Sequence, residues 1–339
     1  MTWKGKTRGG TFGYLFFIYL IRYLGVTAAY VFLCFVVPYY IPFAPKATKS
    51  IWFYSRNILK YGRLRSVGLL FRNYYRLGQI LIDKVAINAG MEKKFHFKFG
   101  NYKEFLDILN SDQGVIMIGA HVGNWETGAP FFHEYGKKIN IVIYDAEHRK
   151  IKEMLEKNGI NKEYKFIPVN KDSLEHVFKI TEVLGQKEYV CFQGDRYVNS
   201  ERLLTCNFMG RPAHFPSGPF LLAARMKVPV VFYFAMREPK RTYHFHFSDA
   251  GGSAGGGGEA PHPGFHADGG KKKRPEQILL EQYVKALENI VKQYPEQWFN
   301  YYPFWGSSGS GSGSEALHPS PMRNGGCVKT QDQVRHCEP

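Results

Sequence analysis

The chain has 339 residues and a formal charge of +16; with the linker-like residues 306–339 set aside, it has the length for one large α/β domain or one such domain with an appendage. Its five cysteines (Cys34, Cys191, Cys206, Cys327 and Cys337) follow neither metal-ligand nor disulfide spacing, which argues against a disulfide framework and for a reducing compartment, the cytoplasmic side, for the folded part. The charge is concentrated: twelve Lys and Arg and no acid lie between Met1 and Arg76, and the first acid is Asp83.

A basic block of this kind suits nucleic acid or an anionic membrane surface, and the neighbouring residues decide between them. Thr11–Phe43 carries one charge, Arg22, in 33 residues. A nucleic-acid face is not built that way, so no nucleic-acid partner is expected and residues 1–49 read as an N-terminal membrane anchor. Gly25 to Val37 is continuously apolar or small, and Tyr23, Tyr30, Tyr39 and Tyr40 fall where interfacial aromatic belts sit. A span needs about 20 apolar residues, so a transmembrane helix requires Arg22 to snorkel and Pro38 to mark the exit. A helical pair half-sunk in one leaflet is the other form. The stretch is too long for a cleaved signal peptide, and no small-x-small site follows it. Both flanks are basic and the longer basic run follows the apolar segment, which directs the C-terminal body to the cytoplasm.

Ser50 to Ala89 reads as an amphipathic helix, with Leu59, Leu64, Leu69, Leu70, Leu77, Ile80 and Leu81 at helical spacing between Arg and Lys. From Lys93 the pattern alternates. Strands are predicted at His96–Phe99, Val115–Ile118, Ile139–Tyr144, Lys165–Val169, Tyr189–Gln193, Val228–Ala235 and Tyr243–Phe247. Helices are predicted at Lys103–Leu109, Trp125–Tyr135, Arg149–Asn158, Ser173–Gly185, Gly218–Met226 and Pro275–Tyr294. Such alternation implies an α/β fold over residues 50–305, a mixed, mostly parallel central sheet flanked by helices. Gly251–Gly270 is too rich in glycine to pack and reads as a flexible loop or insertion.

Two strand ends carry chemistry. Gly114–Glu126, GVIMIGAHVGNWE, is a strand apolar on both faces that runs into His121, with Asn124 placed to cap the next helix and Glu126 in its first turn. A loop His folding back on a first-turn carboxylate gains a fixed tautomer and a basic second nitrogen; a lone His beside an unrelated helix-start Glu is the plainer reading of His-x4-Glu. Tyr189–Asn199, YVCFQGDRYVN, repeats the plan with Asp195 and Arg196 after a glycine turn. Arg at a strand's carboxyl end is suited to gripping phosphate or carboxylate. Both turns would face the crevice where open α/β sheets bind ligands. His244, His246, His262 and His266 are expected to be solvated histidines, since a mobile glycine loop makes a poor metal site, and no metal is expected.

Further on come Phe208-Met209-Gly210-Arg211-Pro212, Phe215-Pro216-Ser217-Gly218-Pro219, Val228-Pro229-Val230 and Tyr294-Pro295-Glu296-Gln297-Trp298-Phe299. With HVGNWE these blocks, in this order, resemble the lysophospholipid-acyltransferase-like superfamily, specifically the lipid A biosynthesis acyltransferases that add a secondary acyl chain. The resemblance covers roughly Lys4 to Trp305. It implies a catalytic His121–Glu126 pair, acyl carrier protein (or CoA) as thioester donor, an anionic lipid acceptor bound through Arg149, Asp195, Arg196 and Arg211 with Asn124 nearby, and no cofactor beyond the acyl thioester co-substrate. It also implies attachment to the inner membrane with the catalytic body facing the cytoplasm. In that reading Asp195 fixes Arg196, and Phe215, Phe220, Leu221 and Leu222 wall the acyl chain, a role that core packing explains equally well. The block FQGDRYVN and the run Asn300-Tyr301-Tyr302 depart from the family pattern on the acceptor side, which leaves another amphiphile, such as an amino-acid or aryl lipid, open as acceptor. Rival chemistries are a Cys191 nucleophile, a metal-dependent hydrolase using His121, Glu126 and His133, and a non-catalytic membrane-binding protein.

Overall fold

A computed structural model describes residues 10–100, 102–124, 136–144, 164–169, 173–197, 202–250, 267–268 and 271–305. The predicted helices at Trp125–Tyr135 and Arg149–Asn158, nearly all of Gly251–Gly270 and the tail from residue 306 lie outside the described residues.

The apolar N-terminal segment forms helix α1 (Gly10–Phe43). It is not a single rod. Gly25 takes φ 82 and ψ 169, a conformation that only glycine adopts without strain. The rings of Phe16 and Phe32 then meet at 5.1 Å between centroids, whereas an unbroken helix would hold these positions about 24 Å apart along its axis. The two arms, Gly10–Leu24 and Val26–Phe43, therefore fold back toward each other. In the second arm Val26, Ala29, Leu33 and Val37 are buried, a stripe at helical spacing.

Two further helices follow, α2 (Pro45–Phe53) and α3 (Arg63–Asn88), with a π-helical turn over Tyr54–Ile58 between them. The single helix expected over Ser50–Ala89 is thus broken: Lys60 has φ 57 and Gly62 is extended at φ −63 and ψ 164. The guanidinium of Arg56 donates to the carbonyl of Tyr61 across the break. The buried stripe of α1 lies on α3, where Leu33 fits over Gly78 so closely that a Cβ there would come within 2.6 Å of its methyl carbons.

The central sheet has seven strands: β1 (His96–Phe99), β2 (Val115–Gly119), β3 (Ile139–Tyr144), β4 (Tyr164–Val169), β5 (Tyr189–Gln193), β8 (Val230–Glu238) and β9 (Thr242–Asp249), in the order β1-β9-β8-β2-β5-β3-β4. From β8 to β4 every neighbouring pair is parallel, while β9 runs antiparallel to β8 and parallel to β1. The sheet is mixed and mostly parallel, as expected. Its strand β2 is buried at every residue, because both faces are covered. On one face Ile116, Ile118, Val190, Phe192 and Phe232 pack with Leu280, Tyr283 and Leu287 of helix α7 (Pro275–Gln293). On the other Val115, Met117, Cys191 and Tyr233 share a core with Leu70 and Tyr74 of α3, with α1 and with Phe105 of helix α4 (Tyr102–Asn110). Two-sided burial is why these strands read as unbroken apolar runs. Helices α5 (Glu175–Gly185) and α6 (Ser217–Arg225) complete the described layers.

Two strand pairs lay outside the predictions: a short antiparallel ladder of Ala267–Asp268 with Lys271–Lys272, and a longer hairpin. Leu203–Phe208 and Arg211–Pro216 form an antiparallel hairpin, β6–β7, separate from the main sheet. Its two-residue turn, Met209 (φ 53) and Gly210 (φ 79), has the positive φ values of a type I′ connection. The Met-Gly pair lacks the usual Asn or Asp, which hid the turn in the sequence.

Candidate active site

Strands β2 and β5 are parallel neighbours in a register that sets Gly119 beside Gln193. The residues following each strand, His121 and Asp195, consequently emerge side by side at the carboxyl end of the sheet, where α/β folds bind ligands. Gly194 N–H donates to the carbonyl of Gly119 at 2.9 Å, and a Cβ at Gly194 would come within 2.9 Å of Ile118 and of the Tyr283 ring. A larger residue here would push the two turns apart.

Asp195 engages His121 twice. Its Oδ1 lies 2.7 Å from Nδ1 of the imidazole and its Oδ2 accepts the backbone N–H of His121 at 3.0 Å. The carboxylate side chain is 3% exposed and the imidazole 28%. Burial pushes the Asp195 carboxyl up, but the adjacent His121, with Arg196 beyond it, outweighs this and holds it below the usual carboxylate range. A carboxylate on Nδ1 keeps a proton there and leaves Nε2 as the basic nitrogen of the ring.

The far wall comes from the last described residues. Val122 forms an antiparallel bridge with Trp298, the N–H of Phe299 donates to the carbonyl of His121 at 3.0 Å, and the N–H of Gly123 donates to the carbonyl of Gln297 at 3.1 Å. Gln297 is fully buried, and its side chain clasps both the N–H and the carbonyl of Arg237 at 2.9 and 2.7 Å. Asn73 of α3 donates to the carbonyls of Glu296 and Trp298. Arg196 Nη2 donates to the carbonyl of Phe299 at 2.7 Å, and the Tyr302 hydroxyl donates to the carbonyl of Asp195 at 3.0 Å. Trp298 packs with Phe208 of the β6–β7 hairpin, and Trp305 Nε1 donates to the carbonyl of Phe208. The separated sequence blocks thus converge on one loop.

Of the residues singled out in the sequence, His121, Asp195 and Arg196 are brought together. Asp195 was expected to hold Arg196; its carboxylate bonds His121 instead, and Arg196 is anchored on Phe299, with its buried Nε lacking a hydrogen-bond partner among the described residues. Asn124 is buried, with its N–H on the carbonyl of Ala235 and its amide 3.4 Å from the Tyr243 hydroxyl. Arg211 starts β7 and lies over the Phe53 ring at 5.7 Å, and no described contact joins it to His121. Glu126 and Arg149 lie outside the described residues. Phe215 and Phe220 are wholly buried against Tyr283, which is core packing. Tyr302, read from sequence only as a departure on the acceptor side, supports the Asp195 turn; Gln297, Asn73 and Tyr283, whose hydroxyl donates to the carbonyl of Gly119, were not singled out for the site.

A buried polar knot backs the His121 loop. The Asp83 carboxylate accepts from Arg237 Nε at 2.8 Å, from the Tyr243 hydroxyl at 2.6 Å and from the Tyr30 hydroxyl. Tyr30 belongs to α1, Asp83 to α3, Arg237 to β8 and Tyr243 to β9. Through Tyr243 and Asn124 the knot connects α1 to the loop that carries His121.

Of the rival chemistries, the metal site of His121, Glu126 and His133 lies mostly outside the described residues. No cluster of three or more metal-ligating side chains occurs among the described residues. His244 and His246 are not simply solvated: His244 pairs with Glu238 at 3.0 Å, Tyr294 donates to the same carboxylate at 2.9 Å, and burial beside His244 pushes His246 down to about 4. Cys191 is buried in β5, and that burial pushes its thiol up to about 12, which keeps it protonated and inert.

Comparison with curated proteins gives no match. The family model for bacterial lipid A biosynthesis acyltransferase matches residues 63–305, from the start of α3 through Trp305, and so takes in the whole sheet, the His121–Asp195 turn pair and the closing clasp. The chain belongs to the bacterial lipid A biosynthesis acyltransferase family and is an acyltransferase that acts on a lipid.

Proposed function

We propose that this protein moves a fatty acyl chain from the thioester of acyl carrier protein, or of CoA, to a hydroxyl or amine of an anionic lipid of the lipid A precursor type. The observation that carries the reading is the buried Asp195 carboxylate on Nδ1 of a partly exposed His121. In this mechanism Nε2 of His121 takes the acceptor proton as the acceptor oxygen attacks the thioester carbonyl. The tetrahedral adduct then expels the thiolate, which recovers the proton from the imidazolium. Asp195 orients the ring and stabilises its charge, and Glu126 completes the His-x4-Glu pair. General-base help of this kind is worth about 10²–10⁴ in rate. Arg196, Arg149 and Arg211 provide positive charge for the anionic acceptor or the oxyanion, and Asn124 supports the loop. No cofactor is needed, because the thioester is already activated. The basic surface also suits an acidic carrier protein.

The protein works at the inner membrane with its catalytic body toward the cytoplasm, as the apolar α1 and the basic run after it support. A second reading, acylation of another amphiphile, is favoured by Asn300-Tyr301-Tyr302. Tyr301 and Tyr302 are spent on Asn73 and on the carbonyl of Asp195 and supply no cation for a phosphate. The test is a comparison of lipid extracts from cells expressing wild type or His121→Ala. A species heavier by one acyl chain in wild type alone supports the proposal and identifies the acceptor by its mass. Identical extracts in the native host's lipids, with both proteins folded, would sink it.

A further inference from the structure

We infer that the N-terminal apolar segment enters a single leaflet as a folded-back hairpin lying along the catalytic body, so that the N-terminus and the catalytic body lie on the same side of the membrane. This rests on the membrane attachment proposed above and goes beyond it. By length and composition Phe16–Phe43 passes as one membrane span. The backbone argues otherwise. The break at Gly25 and the meeting of Phe16 with Phe32 divide it into Phe16–Leu24 and Val26–Phe43, about 14 and 27 Å long at about 1.5 Å per residue, each short of the roughly 30 Å hydrocarbon core.

The second arm is also fixed in place. Tyr30 bonds Asp83, Leu33 seats on Gly78, and Tyr40 meets Tyr74, whose hydroxyl is also bonded by Thr48 of α2. Rising numbers in the arm meet falling numbers in α3, so the two run antiparallel side by side. A perpendicular crossing by this arm would carry α3 into hydrocarbon with the exposed Arg72 and the half-buried Arg76, which pairs with Glu296 of the catalytic clasp. Burying such charges in lipid is costly.

The opposite face of the hairpin has the chemistry of a membrane-facing surface. Tyr19, Tyr23, Leu24, Val31, Phe35 and Tyr39 are exposed, and Val31, Phe35 and Tyr39 follow at four-residue steps down one side. Exposed bases Arg22, Lys46, Lys49, Arg63 and Arg65 flank this surface, with no acid before the buried Asp83. An apolar face rimmed by cations matches the acyl and headgroup layers of an anionic leaflet.

The test uses the full chain with an epitope tag at each end, expressed in bacteria, with protease added to intact spheroplasts and to inverted membrane vesicles. Both tags are expected to survive in spheroplasts and to be lost together in inverted vesicles. Loss of only the N-terminal tag in spheroplasts would mean a true span and overturn the hairpin while leaving membrane attachment intact. Recovery of wild type in the soluble fraction would overturn attachment itself. A V31K/F35K/Y39K variant, altered only on the exposed face, is expected to leave the membrane fraction while keeping the wild-type thermal transition; its full retention there would also overturn the leaflet contact.

Discussion

The Asp195 carboxylate grips His121 through both the ring and the backbone, at 2.7 and 3.0 Å. It therefore fixes the position of the loop as well as the tautomer of the ring. Asp195→Asn keeps the shape but offers an amide N–H or a neutral carbonyl to Nδ1. Activity is expected to fall by about 10²–10⁴, in kcat more than in KM, with the alkaline rise of the pH–rate profile displaced. A change in KM alone would assign Asp195 to acceptor binding.

The same pair makes stability depend on acid. The folded protein holds Asp195 below its ordinary value, which is about 3.9 for an unfolded chain. The pairing thus stabilises the fold above that value, and its contribution is lost as pH falls through the lower folded value. Denaturation midpoints followed from neutral pH to below about 3.9 are expected to fall less for Asp195→Asn than for wild type; parallel curves would contradict the linkage.

Gly123 is the next test. It has φ 54, and a Cβ would lie 1.9 Å from the carbonyl oxygen of Ala235. Gly123→Ala must move the backbone at the bridge to Trp298, and strain of this type costs about 1–3 kcal/mol or more. A lower melting temperature together with a disproportionate loss of kcat is expected. An unchanged kcat would mean that His121 tolerates a displaced loop.

Asp83 and Arg237 are almost completely buried. Removing one partner strands the other charge, at a cost of about 3–5 kcal/mol. Asp83→Leu and Arg237→Met are each expected to lower the unfolding midpoint sharply, and the double variant carrying both to recover much of it. Additive losses in the double variant would show that the two side chains do not act as a pair.

Cys191→Ala is expected to retain full activity, because the thiol is enclosed in the sheet on the core face opposite α7. A large loss in kcat with an unchanged melting temperature would revive the thiol as a nucleophile.

Much of the sheet was legible because its central strands are buried on both sides: β3 and β5 begin and end at the predicted residues. The β6–β7 hairpin was not, since a Met-Gly turn in the left-handed region carries no common signature. The break at Gly25 was hidden for a related reason: glycine inside an apolar run reads as one more small residue until the partner of Phe16 is known. His121, Asp195 and Arg196 could be picked out as charges after apolar strands, but not which of them pair, because the register of β2 against β5 decides that. Gln297 and Tyr302 reach the site from more than a hundred residues away, and such pairing leaves no local pattern.

The clasp between Val122 and Trp298 sets an order in time. Synthesis delivers α1 first and the Pro-Glu-Gln-Trp-Phe segment among the last described residues, so the apolar hairpin meets its surroundings long before the loop of His121 has a second wall. A nascent or truncated chain ending before Gln297 carries every strand of the sheet and both turn residues, yet leaves the carbonyl of His121 and the N–H of Gly123 without their partners. Competence arrives with this late stretch of chain, after the molecule has had the chance to reach its place of work.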